Sequence, residues 1–382
     1  MKNILFVSHD ANRAGAQILL IRFLRLLKED KEFKFSILLK EGGIIENEFF
    51  EVATTYYWKR PEAAVKKSFF HNVCKKITNN DNHQIKTLEI LKKQNFDLII
   101  SNTIANGDIL PILKQLNIPI KTYVHELEMG IQQYTKPENF QNVLKLSSVF
   151  IACSESVKEN LIKNHQIDAT NIEVLPSLLP NSALNYKTDT WVNEKLKNRY
   201  NIPPNAFIVG GMGTVDLRKG IDIFLQVASK LQSNSNISFL WVGGQENEID
   251  YRNFQIDKNR LGLSNIFFQT SVNNPLDYMS IFDIFFVSSR EDPYPLVVLE
   301  AAMLSKPILC FDKAGGAKDF VEDDCGAIIE YLDVDKVVKK IVELKDNVAL
   351  REQMGNSGRK KVFERHNQKI AFQTFVEILN KK

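Results

Sequence analysis

The sequence predicts two doubly wound α/β domains in tandem, each a parallel sheet with helices on both faces. Three observations predict this. Short β-rich runs alternate with segments of helical period along most of the chain. The alternation breaks once, at a proline-containing polar stretch near 177–200, and then restarts. The 382 residues also exceed what one ordinary hydrophobic core covers and suit two.

The elements follow in order. "NILFV" (3–7) reads as a first strand, its apolar run too short before His9 and Asp10 for a secretion signal. Ile18, Leu20, Ile21, Leu24 and Leu27 then form one apolar stripe, the mark of an amphipathic helix. Further strands are read at 33–39, 96–102, 120–125, 149–154 and 172–177. "PSLLPNSALNYKTDT" has no clear period. Beyond "NIPPNAF" strands resume at 207–213, 237–244, 265–270, 283–289 and 306–312. Near-continuous apolar strands between helices imply a parallel sheet buried on both faces. The boundaries expected are an N-terminal domain over 1–185, a linker over 186–203, a C-terminal domain over 204–365, and a helix over 366–382 that packs back on the N-terminal domain. A ligand is expected in a cleft outside the carboxyl ends of the strands.

Composition excludes several classes. Apolar content of 44% and charged content of 25% are those of a globular protein, and a net charge of +3 gives no general argument for nucleic acid. No run approaches the length of a membrane span. Cys74, Cys153, Cys310 and Cys325 form no CxxC pair, and three lie in apolar segments. They read as buried reduced thiols, which suits a cytosolic compartment. Of 17 glycines, twelve lie beyond residue 200, so the second half is the better candidate for a phosphate-bearing ligand.

Five stretches could carry chemistry. In "GGMGTVDLRKGIDIFLQVA" a strand ends, a turn follows, and Arg218 and Lys219 lie near a helix start. A guanidinium and an ammonium there could hold a diphosphate, although the same residues also read as a tight turn with a solvated pair. The spacing fits neither a Walker loop nor a dinucleotide fingerprint. In "SSREDPYPLVVLEAAMLSKPILC" a strand gives way to a loop whose prolines forbid further pairing, and Pro295 then starts a helix. The N–H groups of Leu296 and Val297 would point above the strand end. Glu300 lies about one turn further along, at about 1.5 Å per residue. Its apolar neighbours argue for a buried carboxylate satisfied by ligand hydroxyls. "FDKAGGAKDF" is a third turn at the same sheet edge.

The fourth stretch is "YVHELEMG", where His125 ends a strand. A lone histidine is more often structural, and no HExxH is present. "SHDANRAGAQ" similarly offers Gly15 between two alanines, where a ligand could approach the backbone. The fifth, 56–77, sets six Lys or Arg against Glu62 among aromatic residues. It is the candidate for peripheral contact with anionic lipid or acceptor. Its basic residues spread around most of a helical wheel, which favours a solvated surface.

Taken together the residues resemble a known family. "REDPYPLVVLEAAMLSKPIL" is similar to the nucleotide-sugar signature of the retaining glycosyltransferases of family 4: an acid, seven residues, Glu, a small-residue helix and a Pro-led strand. "GMGTVDLRKG", "AGGAKDFVEDDCGAII" and "RAGAQILLIRFL" resemble further elements of that family in the same order. The resemblance implies a GT-B fold, two Rossmann-like domains facing across a cleft, the N-terminal one on the acceptor side and the C-terminal one binding the donor. It implies that Lys219, helped by Arg218, holds the donor diphosphate near Gly213 and Thr214. It implies that Glu300 accepts from the ribose, that Asp292, eight residues before it, contacts the transferred sugar, and that His125 meets the sugar too. The chain departs from the family pattern where Asp292 replaces Glu, Thr214 replaces Arg, Gln17 replaces Glu, and Pro293-Tyr294-Pro295 replaces Gly-Phe-Gly.

The expected function is transfer of a sugar, with retention, from a UDP- or GDP-sugar to a glycan or lipid-linked acceptor in bacterial surface polysaccharide or lipopolysaccharide synthesis. No cofactor and no metal are expected. The DxD at Asp333–Asp335 precedes a helix and reads as a cap. The expected setting is cytoplasmic, with a peripheral place at the inner face of the plasma membrane. The alternatives are a GT-B epimerase or phosphorylase, or an inactive nucleotide-sugar-binding subunit.

Overall fold

The computed structural model describes residues 1–59, 72–234 and 236–381, with the backbone alone for 72–81. It divides into two compact units, Met1–Leu175 with Phe372–Lys382, and Pro176–Ala371.

The first unit is built on parallel strands β1 (Lys2–Ser8), β2 (Phe33–Leu39), β3 (Thr54–Tyr57), β4 (Leu98–Asn102), β5 (Ile120–Val124), β6 (Val149–Ala152) and β7 (Ile172–Val174). Among the described residues their order is β3-β2-β1-β4-β5-β6-β7. Ile4 to Val7 are fully buried, as strands covered on both faces must be. Register sets Ser8 beside both Leu39 and Asn102, and Val124 beside Ala152. The carboxyl ends of the central strands therefore finish together at one edge. The helix Gly15–Glu29 buries Leu20, Ile21, Leu24 and Leu27, four members of the stripe read from the sequence, while Ile18 is half-buried.

The last helix, Gln368–Asn380, returns to this unit. Phe375 packs on Phe23 and Phe6, with ring centroids 4.7 and 6.2 Å apart. Two lysines at the opposite edge of the sheet close the helix end. Lys121 Nζ donates to the carbonyls of Ile378 and Lys381, and Lys2 Nζ donates to that of Leu379. Ile378 and Leu379 lie in the last turn of the helix, whose carbonyls lack intrahelical donors, and Lys381 lies just beyond it.

The second unit repeats the plan with β8 (Phe207–Met212), β9 (Ile237–Val242), β10 (Ile266–Gln269), β11 (Ile284–Phe286), β12 (Ile308–Phe311) and β13 (Gly326–Ile329). Among the described residues their order is β10-β9-β8-β11-β12-β13. Two apolar clusters fill its two faces, one around Phe282, Leu299 and Met303, the other around Phe224, Trp241 and Phe286. They account for the glycine pair in β8. A Cβ on Gly210 would lie 2.0 Å from the Phe282 ring, and one on Gly211 would lie 2.6 Å from Trp241. This pair makes room for aromatic side chains, and the strand runs on to Met212.

The stretch read as a linker over 186–203 holds the helix Thr190–Arg199, whose N-cap Asp189 accepts from Trp191 N at 2.9 Å. The same chemistry is seen at Asp333, which accepts from Lys336 N at 3.0 Å and caps the following helix. Of the basic and aromatic segment 56–77, Trp58 is buried and Lys59 pairs with Glu41 at 2.5 Å. Residues 60–71 and the side chains of 72–77 lie outside the described residues. Among the described residues no helix is long and apolar enough to cross a membrane.

Candidate functional site

Both sheets have a point where the strand order reverses, between β1 and β4 in the first and between β8 and β11 in the second. At such a point two successive crossovers leave in opposite directions, which opens a crevice at the carboxyl ends of the strands. The sequence-predicted residues cluster there in each unit.

In the second unit the loop after β8 is folded by its own acid. Asp216 accepts from Lys219 N and from Thr214 Oγ1, both at 2.7 Å. Gly220 then takes φ +68°, and the helix Ile221–Lys230 begins. A Cβ on Gly220 would lie 2.0 Å from Ser288 O, so the loop after β8 meets the loop after β11 with no room for a side chain. Ser288 Oγ donates to Lys219 O at 3.0 Å across the same contact. Arg290 adds a staple. Its guanidinium donates to both oxygens of Asp222 at 2.7 Å and to Leu217 O at 2.9 Å, while its backbone N–H donates to Arg218 O at 2.8 Å.

These bonds set two charges side by side. Lys219 Nζ lies 2.5 Å from Asp292 Oδ2, with side chains 15% and 8% exposed. Ser289 Oγ lies 3.5 Å from the same oxygen. The neighbouring acid behaves differently: Glu291 offers its backbone carbonyl to Arg218, at 3.0 Å. Geometry thus selects Asp292 as the acid beside Lys219. Its backbone is held by the third turn, Asp292 N donating to Ala314 O at 2.6 Å and Gly316 N to Asp292 O at 3.0 Å. The three turns recognised separately in the sequence form one edge.

The helix Leu296–Met303 follows Pro295, and the N–H groups of Leu296 and Val297 lie at its open start. Val298, Leu299, Ala301, Ala302 and Met303 are buried, whereas Leu296, Val297 and Glu300 are half-buried on one shared face. Glu300 is therefore not enclosed as its apolar neighbours suggested. Those neighbours are apolar because the rest of the helix packs into the core. Tyr294 turns its hydroxyl to His366 Nε2, 3.2 Å away, and His366 Nδ1 donates to Ser177 O at 2.8 Å. Burial pushes the His366 ring down to about 4, so it stays neutral near pH 7 and Nε2 accepts from Tyr294.

In the first unit His125 Nε2 donates to Asn102 Oδ1 at 2.9 Å. Burial first, and the nearby His9 second, push His125 down to about 3, so it is a neutral hydrogen-bonding group near pH 7. His9 is also lowered by burial. Its Nε2 faces the Gln17 amide at 3.2 Å, and its Nδ1 faces Thr103 Oγ1 at 3.2 Å. The Asp10 carboxylate lies 3.5 Å from the same Nε2. Thr103 has φ +79°, a conformation that residues with side chains avoid and that clusters at functional sites. Glu126 lies behind, buried, accepting from His125 N at 2.8 Å. Burial raises its carboxyl to about 7, against the opposing bonds from His125 N and Ile104 N. Gly15 starts its helix in open space, with nothing within 4 Å of an added Cβ.

Sequence reasoning missed Asp216, Ser288, Arg290, Asn102 and Thr103. Only Asp216 left a signal, the Asp-x-x-Lys spacing at which a side chain caps its own turn. Among the described residues no cluster of three or more His, Cys, Asp or Glu could hold a metal ion.

Two doubly wound parallel sheets of this order, each with its functional edge at the switch point, define the GT-B class of glycosyltransferase fold. Residues 192–361 match the family model described as glycosyl transferases group 1, and residues 50–178 the model described as Glycosyltransferase Family 4. The chain belongs to glycosyltransferase family 4. The capsular polysaccharide biosynthesis glycosyltransferase CapM of Staphylococcus aureus is 24% identical over 60% of this chain and 60% of its own length. CapH of the same organism, another capsular polysaccharide biosynthesis glycosyltransferase, is 22% identical over 79% of each chain. In fold the chain is similar to HepE of Anabaena, solved in complex with UDP and glucose, with a TM-score of 0.82, 18% identity and 99% of each chain covered.

Proposed function

We propose that this chain transfers a sugar from a nucleotide-diphosphate sugar, UDP- or GDP-linked, to a hydroxyl of a glycan or lipid-linked acceptor. The product is a bacterial surface polysaccharide, and the anomeric configuration is retained. The observation that supports this most is the contact of Lys219 Nζ with Asp292 Oδ2 at the switch point of the second sheet. It offers a cation for a diphosphate and an acceptor for sugar hydroxyls in one place. The names of CapM and CapH, both capsular polysaccharide glycosyltransferases, support the pathway class, and the UDP and glucose bound to HepE support the donor class.

The chemical difficulty is charge. As the bond from the anomeric carbon to the diphosphate breaks, negative charge grows on the leaving group and the sugar becomes cationic. Lys219 and Arg218 oppose the first, and the N–H groups of Leu296 and Val297 add to them. Side chains thus supply the charge that a metal would supply in other designs. Asp292 and Glu300 act by position, accepting hydrogen bonds from the sugar and the ribose. His125, neutral near pH 7, is suited to a hydroxyl and not to proton transfer. The acceptor oxygen bonds to the anomeric carbon on the face the diphosphate leaves, and its proton passes to the departing phosphate oxygen. In this reading the protein works in the cytoplasm, at or near the inner face of the plasma membrane.

The test is a panel of UDP- and GDP-sugars screened by thermal stabilisation, then by transfer to a lipid-linked acceptor. At least one donor should raise the melting temperature. Lys219→Ala and Glu300→Ala should each weaken its binding tenfold or more. Donor binding left intact by both changes would overturn the assignment.

A further inference from the structure

We propose that Lys219 and Asp292 are a switched pair: the donor's diphosphate takes Lys219 away from Asp292 and so releases Asp292 to accept from the sugar. The inference rests on the nucleotide-sugar reading above and adds an order of events to it. Three features of the unliganded site lead to it.

First, the ion pair occupies both groups. Lys219 Nζ and Asp292 Oδ2 lie 2.5 Å apart with side chains 15% and 8% exposed. Each group in its unliganded state satisfies the other, so neither is fully available to a ligand. Second, both backbones are fixed and only the side chains can change partner. Lys219 is held at its N–H by Asp216 and at its carbonyl by Ser288 Oγ. Asp292 is held at its N–H by Ala314 O and at its carbonyl by Gly316 N. The exchange therefore needs a change of side-chain rotamer and no loop movement. Third, charges this far from water are costly to leave alone, so an anion must replace Asp292 beside Lys219, and hydrogen-bond donors must replace Lys219 beside Asp292. A diphosphate is such an anion, and a sugar hydroxyl is not. Ser289 Oγ, 3.5 Å from Asp292 Oδ2, remains as a donor to the released carboxylate.

Two consequences follow. Part of the diphosphate's affinity is used to displace Asp292, so unsubstituted nucleotide binds more weakly than the bare cation would allow. The released carboxylate then returns affinity only when a sugar is attached, which favours the intact donor over the spent nucleotide. A free sugar without the diphosphate gains nothing from Asp292.

The experiment compares wild type with Asp292→Asn and Asp292→Ser by calorimetry, using UDP, GDP, ADP and dTDP and then the matching nucleotide sugar. Circular dichroism checks folding. Removing the competing carboxylate should tighten the bound nucleoside diphosphate at least tenfold. It should also erase the advantage of the nucleotide sugar over the nucleotide seen in wild type. Variants that bind the nucleotide no tighter than wild type overturn the switch while leaving the proposed function standing. A wild type that binds none of the four nucleotides overturns the proposed function, and the switch with it. Failure of both variants to fold also overturns the switch, since a pair that opens on every donor binding cannot be needed to hold the fold.

Discussion

Replacing Arg290 by alanine tests whether the two loops of the second site are held by one side chain. The guanidinium makes two bonds of 2.7 Å to Asp222 and one of 2.9 Å to Leu217 O. The paired side chains are 21% and 31% exposed, which places them between a surface ion pair and a buried one. A surface pair contributes about 0–1 kcal/mol, and breaking a buried one costs about 3–5 kcal/mol. The change should therefore cost about 2–3 kcal/mol. For a unit of this size that is a fall in melting temperature of about 4–12 °C. Arg290→Lys keeps the charge and loses the fork, so it should recover part of the difference. The pH dependence has a definite sign. Burial raises the Asp222 carboxyl, and the hydrogen bonds and charge of Arg290 outweigh it, leaving the group below the usual carboxylate range. A carboxyl lowered by folding adds stability above its unfolded pKa, and that stability is lost as pH falls through the folded one. The gap between wild type and Arg290→Ala should thus be constant from about pH 5 upward and narrow below about pH 4, leaving the part due to Leu217 O. Thermal melts at a series of pH values read both quantities. A variant melting within 1 °C of wild type at pH 7, on the order of 0.3 kcal/mol, or a gap undiminished in acid, would refute the reasoning.

Two further predictions concern backbone space and a buried carboxyl. Gly220→Ala places a Cβ 2.0 Å from Ser288 O at φ +68°, whereas Gly262→Ala meets nothing within 4 Å at a similar φ of +62°. The second should cost about 1 kcal/mol for the left-handed conformation alone, and the first about 2–4 kcal/mol because strands and loops must part. Equal losses in denaturant titrations would mean that the loops do not meet as described. Glu126 has its carboxyl raised by burial to about 7. Its wild-type contribution is therefore full below the ordinary carboxylate pKa and declines as pH rises through the folded value, by about 3 kcal/mol at most. Glu126→Gln cannot titrate, so its stability relative to wild type should rise between pH 5 and pH 8. A difference that is the same at both pH values would show that Glu126 ionises freely.

Much of this fold is legible in the sequence because period and burial go together. The runs at 3–7 and 33–39 became β1 and β2, with β1 extended by one residue at each end. The edge strand β3, Thr54–Tyr57, escaped notice because it is only four residues long and largely half-buried, with no apolar run to mark it. The helix Thr190–Arg199 was hidden for a related reason. It buries little beyond Leu196, so its sequence has no apolar stripe to give it away. At the site, spacing placed Lys219, Asp292 and Glu300 near one sheet edge, but it could not say which groups touch. The Arg290–Asp222 fork joins residues 68 positions apart, and Thr103 is distinguished by a backbone angle that no residue type announces. Gly210 and Gly211 mislead in the opposite direction, since glycine suggests a ligand and here makes room for aromatic rings.

The return of the last helix to the first unit has a consequence for synthesis. Residues Pro176–Ala371 form one compact unit, while the first unit draws on both Met1–Leu175 and Phe372–Lys382. A ribosome therefore releases the whole of the second unit before it delivers Phe375, the side chain that covers Phe6 and Phe23. The half of the chain made first is the half that must wait, with an apolar face uncovered while some two hundred residues emerge, as expected of a chain that folds in parts. Changes to Lys2 or Lys121, which close the end of that helix, would act on this final step and leave the second unit untouched.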